Sequence, residues 1–158
     1  MKNTALAIAL TIGVSVALLG CSQSDEAKAQ DYAVKACGMA SDDSGTPKRD
    51  DSGRVVYNVS ARIINPDTAP MNEVTSWRDD VRGNATNAQA GAQLDSAWRA
   101  LAKAFTENAG MLDEWIAIRE SGQSALNRAE YANEANGFIA NSSEIGAICS
   151  GLAARLSG

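Results

Sequence analysis

The sequence predicts an all-α fold, an irregular bundle of five or six helices with one short extended segment. Three observations carry that reading. After residue 70, apolar residues recur at intervals of three and four almost to the end of the chain, the period of a helix with one buried face. Aromatic residues make up only 5% of the chain, while alanine, the strongest helix former, is abundant. Only residues 54–64 alternate with the two-residue period of a strand.

The chain opens with Lys2 and an apolar run from Ala5 to Leu19, closed by Leu18-Leu19-Gly20-Cys21 and followed at once by the polar Ser22-Gln23-Ser24-Asp25-Glu26. The run is shorter than the roughly 20 residues that cross a bilayer and has the length of a signal-peptide core. Leu-Leu-Gly-Cys resembles the lipobox of bacterial lipoproteins. That resemblance covers residues 1–21 only. It implies a signal peptide at 1–20 and a mature chain beginning at Cys21, whose sulfur carries diacylglycerol. The localisation it implies is the bacterial cell envelope, outside the cytoplasm, with residues 21–25 as a tether. Two or more acyl chains hold a protein stably where one does not.

Residues 21–158 then form a single domain of 138 residues, enough for a proper core. With Lys2 removed, 13 basic residues face 19 acidic ones, a balance of −6. Such a surface repels phosphate backbones, so no nucleic-acid partner is expected. Cys37 and Cys149 are the two cysteines left after Cys21. In an oxidising compartment an even pair reads as a disulfide, here closing a loop of 112 positions.

Residues 24–37 read as the first helix, with Ser24 as its cap, Asp25 and Glu26 in the first turn and Gly38 as its stop. Ala29, Ala33, Ala36 and Cys37 share one face. Residues 40–53 form an acidic, turn-rich loop in which Asp-Asp-Ser-Gly occurs twice, without the ligand spacing of a calcium loop. The extended piece 54–64 follows, ended by Asn65-Pro66 and Ala69-Pro70. Helices are then expected over 71–82, closed by Gly83, and 87–108, opened by the capping box of Thr86 and Gln89. Leu94, Ala97, Trp98, Leu101, Ala104 and Phe105 form the apolar stripe of the second. Further helices are expected over 111–121, 124–140 and from Asn141 to the end, where Ile145, Ile148, Cys149, Leu152, Ala153 and Leu156 face inward. Both cysteines thus fall on apolar faces, which agrees with a bridge between the first and last helices.

No histidine is present, which removes the commonest metal ligand and the usual base of nucleophilic sites. No phosphate loop, nucleophile elbow or metal-ligand spacing is found. No catalytic residue, metal or cofactor is therefore expected. Asp79-Asp80 and Asp113-Glu114 are adjacent carboxylates that point in different directions on a helix and read as solvated faces. Trp77, Trp98 and Trp115 fall one to a helix, with Arg119 one turn beyond Trp115. They are the candidates for a ligand pocket, although core filling is the commoner fate of such residues. The preferred functional reading is a non-enzymatic envelope lipoprotein, bound to the membrane through its lipid and acting by contact with another envelope protein. The alternative is a binder of small ligands in an aromatic pocket between helices.

Overall fold

A computed structural model of the chain describes residues 23–42, 46–57 and 67–158. The expected lipid site, Cys21, and most of the expected extended segment lie outside these residues. Among the described residues the fold is helical, with α1 Asp25–Ala36, α2 Met71–Leu94, α3 Arg99–Glu120 and α4 Tyr131–Ser157. Two short 3₁₀ turns, Ser96–Trp98 and Ala125–Asn127, precede α3 and α4. None of these helices is long and apolar enough to cross a membrane.

α1 forms as its residues dictate. The Ser24 hydroxyl accepts from the Ala27 N–H at 3.2 Å, and acidic residues open the helix while Lys35 closes it. At its end Gly38 takes φ 61°. The Met39 N–H then reaches the Val34 carbonyl and the Gly38 N–H reaches that of Lys35, at 3.1 and 3.0 Å. This is the Schellman arrangement, and Met39 and Val34 are both buried beside it. Gly122, at φ 79°, closes α3 in the same way.

Among the described residues the expected five or six helices are four, because three expected breaks do not occur. Gly83 lies inside α2, Asn108-Ala109-Gly110 lies inside α3, and Asn141 lies inside α4. In each case the apolar register runs through the weak residue unbroken. Val74, Trp77, Val81, Ala85 and Ala88 are all buried on one face of α2, across Gly83. A glycine in a helix costs about 1 kcal/mol, far less than that shared burial returns. Thr86 does not cap a helix start. Its hydroxyl donates back to the Arg82 carbonyl at 3.0 Å, and Gln89 reaches across to Thr106 at 2.9 Å. The true break is at Asp95, whose carboxylate accepts from the Ala97 N–H at 2.9 Å. Leu94 and Ala97, expected inside, are exposed at this turn, while Trp98, Leu101, Ala104 and Phe105 are buried.

No strand forms among the described residues. Residues 54–57 instead complete a small irregular ladder. The Lys48 N–H donates to Ala40 at 2.8 Å and the Val56 N–H to Lys48 at 3.1 Å, with isolated bridges at Ser41–Pro47 and Arg49–Val55. Val55 is the buried member of this ladder.

α2 packs against both α1 and α3, and α3 packs against α4. α2 and α3 run antiparallel, since Arg82 meets Asp113 while Gln89 meets Thr106. α3 and α4 also run antiparallel, since Trp115 meets Glu134 while Asn108 meets Ser142. Cys37 and Cys149 form the expected disulfide, with Cα atoms 5.6 Å apart, and tie the end of α1 to α4.

Candidate functional site

The four candidate residues do not form one cluster. Trp77 of α2 and Trp115 of α3 meet on Phe138 of α4, at ring-centroid distances of 5.2 and 5.6 Å, and Tyr131 completes the group 5.7 Å from Trp115. Trp98 stands apart, at the start of α3, with the Arg155 guanidinium 6.0 Å from its ring. The three indoles are 6%, 8% and 4% exposed in chain order, so each occupies core volume. Phe138, which joins two of them, lies in the segment 124–140 expected to be helical, but nothing in its spacing marks it as the meeting point.

A polar frame surrounds the aromatic group. The Trp115 Nε1–H donates to Glu134 at 2.9 Å, and Arg128 holds Glu134 at 3.1 Å and Glu114 at 2.6 Å. The hydrogen bond to Glu114 comes first among the causes that raise the Arg128 pKa above its ordinary value. Arg119 donates to the carbonyl of Ala69. Beside it, Asp67 caps the Ala125–Asn127 turn from a distant part of the chain. Its carboxylate accepts from the Ser124 hydroxyl and from the N–H groups of Ala125 at 2.9 Å and Leu126 at 3.3 Å. Burial pushes this carboxyl up, but those hydrogen bonds and the nearby Arg119 charge outweigh it and hold the pKa below its ordinary value. Burial, with the charges of Asp67 and Glu134, raises the Tyr131 hydroxyl.

The adjacent carboxylates expected on solvated faces are partly engaged. Asp113 receives Arg78 at 3.2 Å and Arg82 at 2.6 Å, joining α3 to α2. Glu114 receives Arg128, and Asp79 receives Arg78 at 2.6 Å. Half-exposed ion pairs of this kind each add little to stability, but together they fix helix register. Two buried side-chain atoms, Trp77 Nε1 and Asn108 Oδ1, have no hydrogen-bond partner among the described residues. Among those residues no group of three or more metal-ligating side chains comes together.

The opposite end of the bundle is organised by Arg49, which sequence reasoning passed over as part of a solvated loop. Its guanidinium donates to the carbonyls of Ser157 at 3.0 Å and of Leu156, and to that of Gly53 at 2.8 Å. Those first two are among the last carbonyls of α4, which lack helical partners. The Val55 N–H adds a bond to the Ser157 hydroxyl at 2.9 Å. Asp50 builds the turn between them, accepting from Ser52 and Arg54. Those hydrogen bonds, the Ser52 hydroxyl's first, lower its pKa to about 2. Val56 and Tyr57 remain exposed beside a hollow of about 620 Å³ that also borders Ser150, Ala153 and Ala154 of α4.

The described residues thus form a four-helix, disulfide-braced bundle whose charged groups are largely spent on holding helices and turns together. No known protein family, curated protein or solved structure matches the chain.

Proposed function

We propose that this protein is a bacterial envelope lipoprotein, anchored by an acylated Cys21, whose helical body works by contact with another envelope protein rather than by catalysis. The observation that carries the reading is the junction of lipobox and fold. Leu18-Leu19-Gly20-Cys21 is followed by a short polar spacer, and α1 starts at Asp25, capped by Ser24. The Cys37–Cys149 bridge supports it independently, since such bonds persist outside the reducing cytoplasm. The surface available to a partner includes the exposed Val56 and Tyr57 at the rim of the hollow on α4.

Two measurements test the parts separately. Intact-mass analysis of protein from host membranes should give a chain that starts at Cys21 with a lipid-sized addition, and Cys21→Ala should leave the membrane fraction. A chain retaining residues 1–20 without added mass would sink the anchor. Crosslinking at Tyr57, introduced as a photoreactive residue, should trap one envelope protein, and recovery of the bait alone would sink the contact role. The small-ligand reading keeps one observation in its favour, the buried Trp77 Nε1–H, which has no acceptor among the described residues. A ligand that satisfied it would shift tryptophan emission and raise the melting temperature together.

A further inference from the structure

The lipid-anchored reading supplies a reference point against which the charges of the body can be placed. Gln23 and Ser24, the first described residues, line one surface hollow with Leu156, so the tether leaves the body at the carboxy-terminal end of α4. α4 has 27 residues and is therefore about 40 Å long. The antiparallel pairings divide the bundle across that axis near Ser142. The half beside the tether comprises residues 23–57, 85–106 and 145–158. Its described residues carry eight bases against seven acids, +1, close to neutral. The half away from the tether comprises residues 67–84 and 107–144, with four bases against eleven acids, −7. Among the described residues, all of the net negative charge therefore lies in the half that the tether can hold farthest from the membrane.

We infer that the body stands upright on its lipid, the near-neutral half meeting a bilayer of anionic headgroups and the acidic half turned outward by repulsion. The inference rests on attachment at Cys21 and on the geometry of the bundle. Screening limits the repulsion to roughly 8–10 Å at physiological salt. A body lying flat brings the acidic half into that layer, and an upright one keeps it out. The aromatic end and its charged frame then face the aqueous space, while Val56 and Tyr57, in the half beside the tether, place the proposed protein contact close to the membrane.

The test couples Cys21 of the chain from residue 21 onward to a maleimide phospholipid. The tether is then present whether or not the host acylates that residue, and failure here is distinct from failure of the lipid reading. Neutron reflectometry gives the thickness of the protein layer on zwitterionic and on anionic supported bilayers. Glu73, Asp80, Glu120 and Glu144 are exposed and take no part in the ion pairs found among the described residues. The variant E73Q/D80N/E120Q/E144Q therefore lowers the outer charge without touching them. At low salt the parent layer should thicken on anionic lipid toward the roughly 40 Å length of α4. The variant, checked for an unchanged melting temperature, should lose that thickening, and so should the parent at high salt. Equal thickness on the two bilayers at low salt, or a variant that thickens like its parent, overturns the proposal.

Discussion

The two ends of α4 are held by different physics. At its carboxy-terminal end, α1 covers the bundle with small residues, Ala29, Ala33 and Ala36, against Ala85, Ala88 and Gly91 of α2. α1 contributes mostly alanines to that contact, with Val34, and a covalent bond and the Arg49 clamp add to it. At its amino-terminal end no disulfide exists, and Phe138 wedges between two indoles inside a frame of arginine–carboxylate pairs. α1, at 12 residues, is about 18 Å long and reaches less than half the length of α4. A short helix with small side chains therefore needs a bridge, while a junction of large aromatic side chains holds by burial.

The sharpest way to break this contrast is to remove the bridge. Cys37→Ala with Cys149→Ala should cost about 4–5 kcal/mol in urea unfolding, as expected for a loop near 112 positions. Hydrogen exchange should show α1 losing protection before the centre of α3. Equal loss at both ends would mean that the halves are one cooperative unit. Phe138→Ala should come next, at about 3–4 kcal/mol, with the near-ultraviolet tryptophan signal falling as the two indoles lose their shared neighbour.

Asp67→Ala should cost about 1–2 kcal/mol, since it strips a cap from the turn before α4. The effect carries a pH signature. The folded-state pKa of Asp67 lies below its ordinary 3.8, so its contribution is complete above that value. It is lost as pH falls from there through the lower, folded-state pKa. The parent should thus lose more stability than the variant on acidification below pH 4, and parallel acid limbs would refute the assignment.

The smallest effects sharpen the comparison most. A Cβ on Gly91 would meet the Ala29 carbonyl oxygen at 3.1 Å and Tyr32 Cβ at 3.4 Å, whereas one on Gly83 meets nothing within 4 Å. Gly83→Ala should therefore stabilise by about 0.5–1 kcal/mol through helix propensity. Gly91→Ala should lose that gain to the α1 contact and come out destabilising. Two alanines of equal sign in thermal melts would show that α1 yields easily.

These glycines also explain what could be read from the chain beforehand. Gly38 was legible as a stop, and Gly122 as a turn or kink, because the apolar register ends where they stand. Gly83 and Gly110 misled because each looks like a local break inside a register that continues past it. Asp95, a strong capping residue, marked the real turn but was hidden in an apparent apolar stripe running from Leu94 to Phe105. Cys37 and Cys149 could be paired from their count, their faces and the oxidising compartment that the lipobox resemblance implies. The meeting of Trp77 and Trp115 on Phe138 could not, because it depends on how helices are set side by side, and periodicity describes one helix at a time. Asp67 and Arg49 were equally illegible, since each caps a helical segment dozens of residues away.

Arg49's hold on Leu156 and Ser157 has a consequence for how the carboxy-terminal turn comes apart. A helix end ordinarily frays alone and first. Here unwinding must release the guanidinium, and with it the turn closed at Gly53 and the Val55 bond to Ser157. Segments about a hundred positions apart in sequence therefore open as one event, and amide protons of Val56 and of the final turn of α4 should exchange at a common rate.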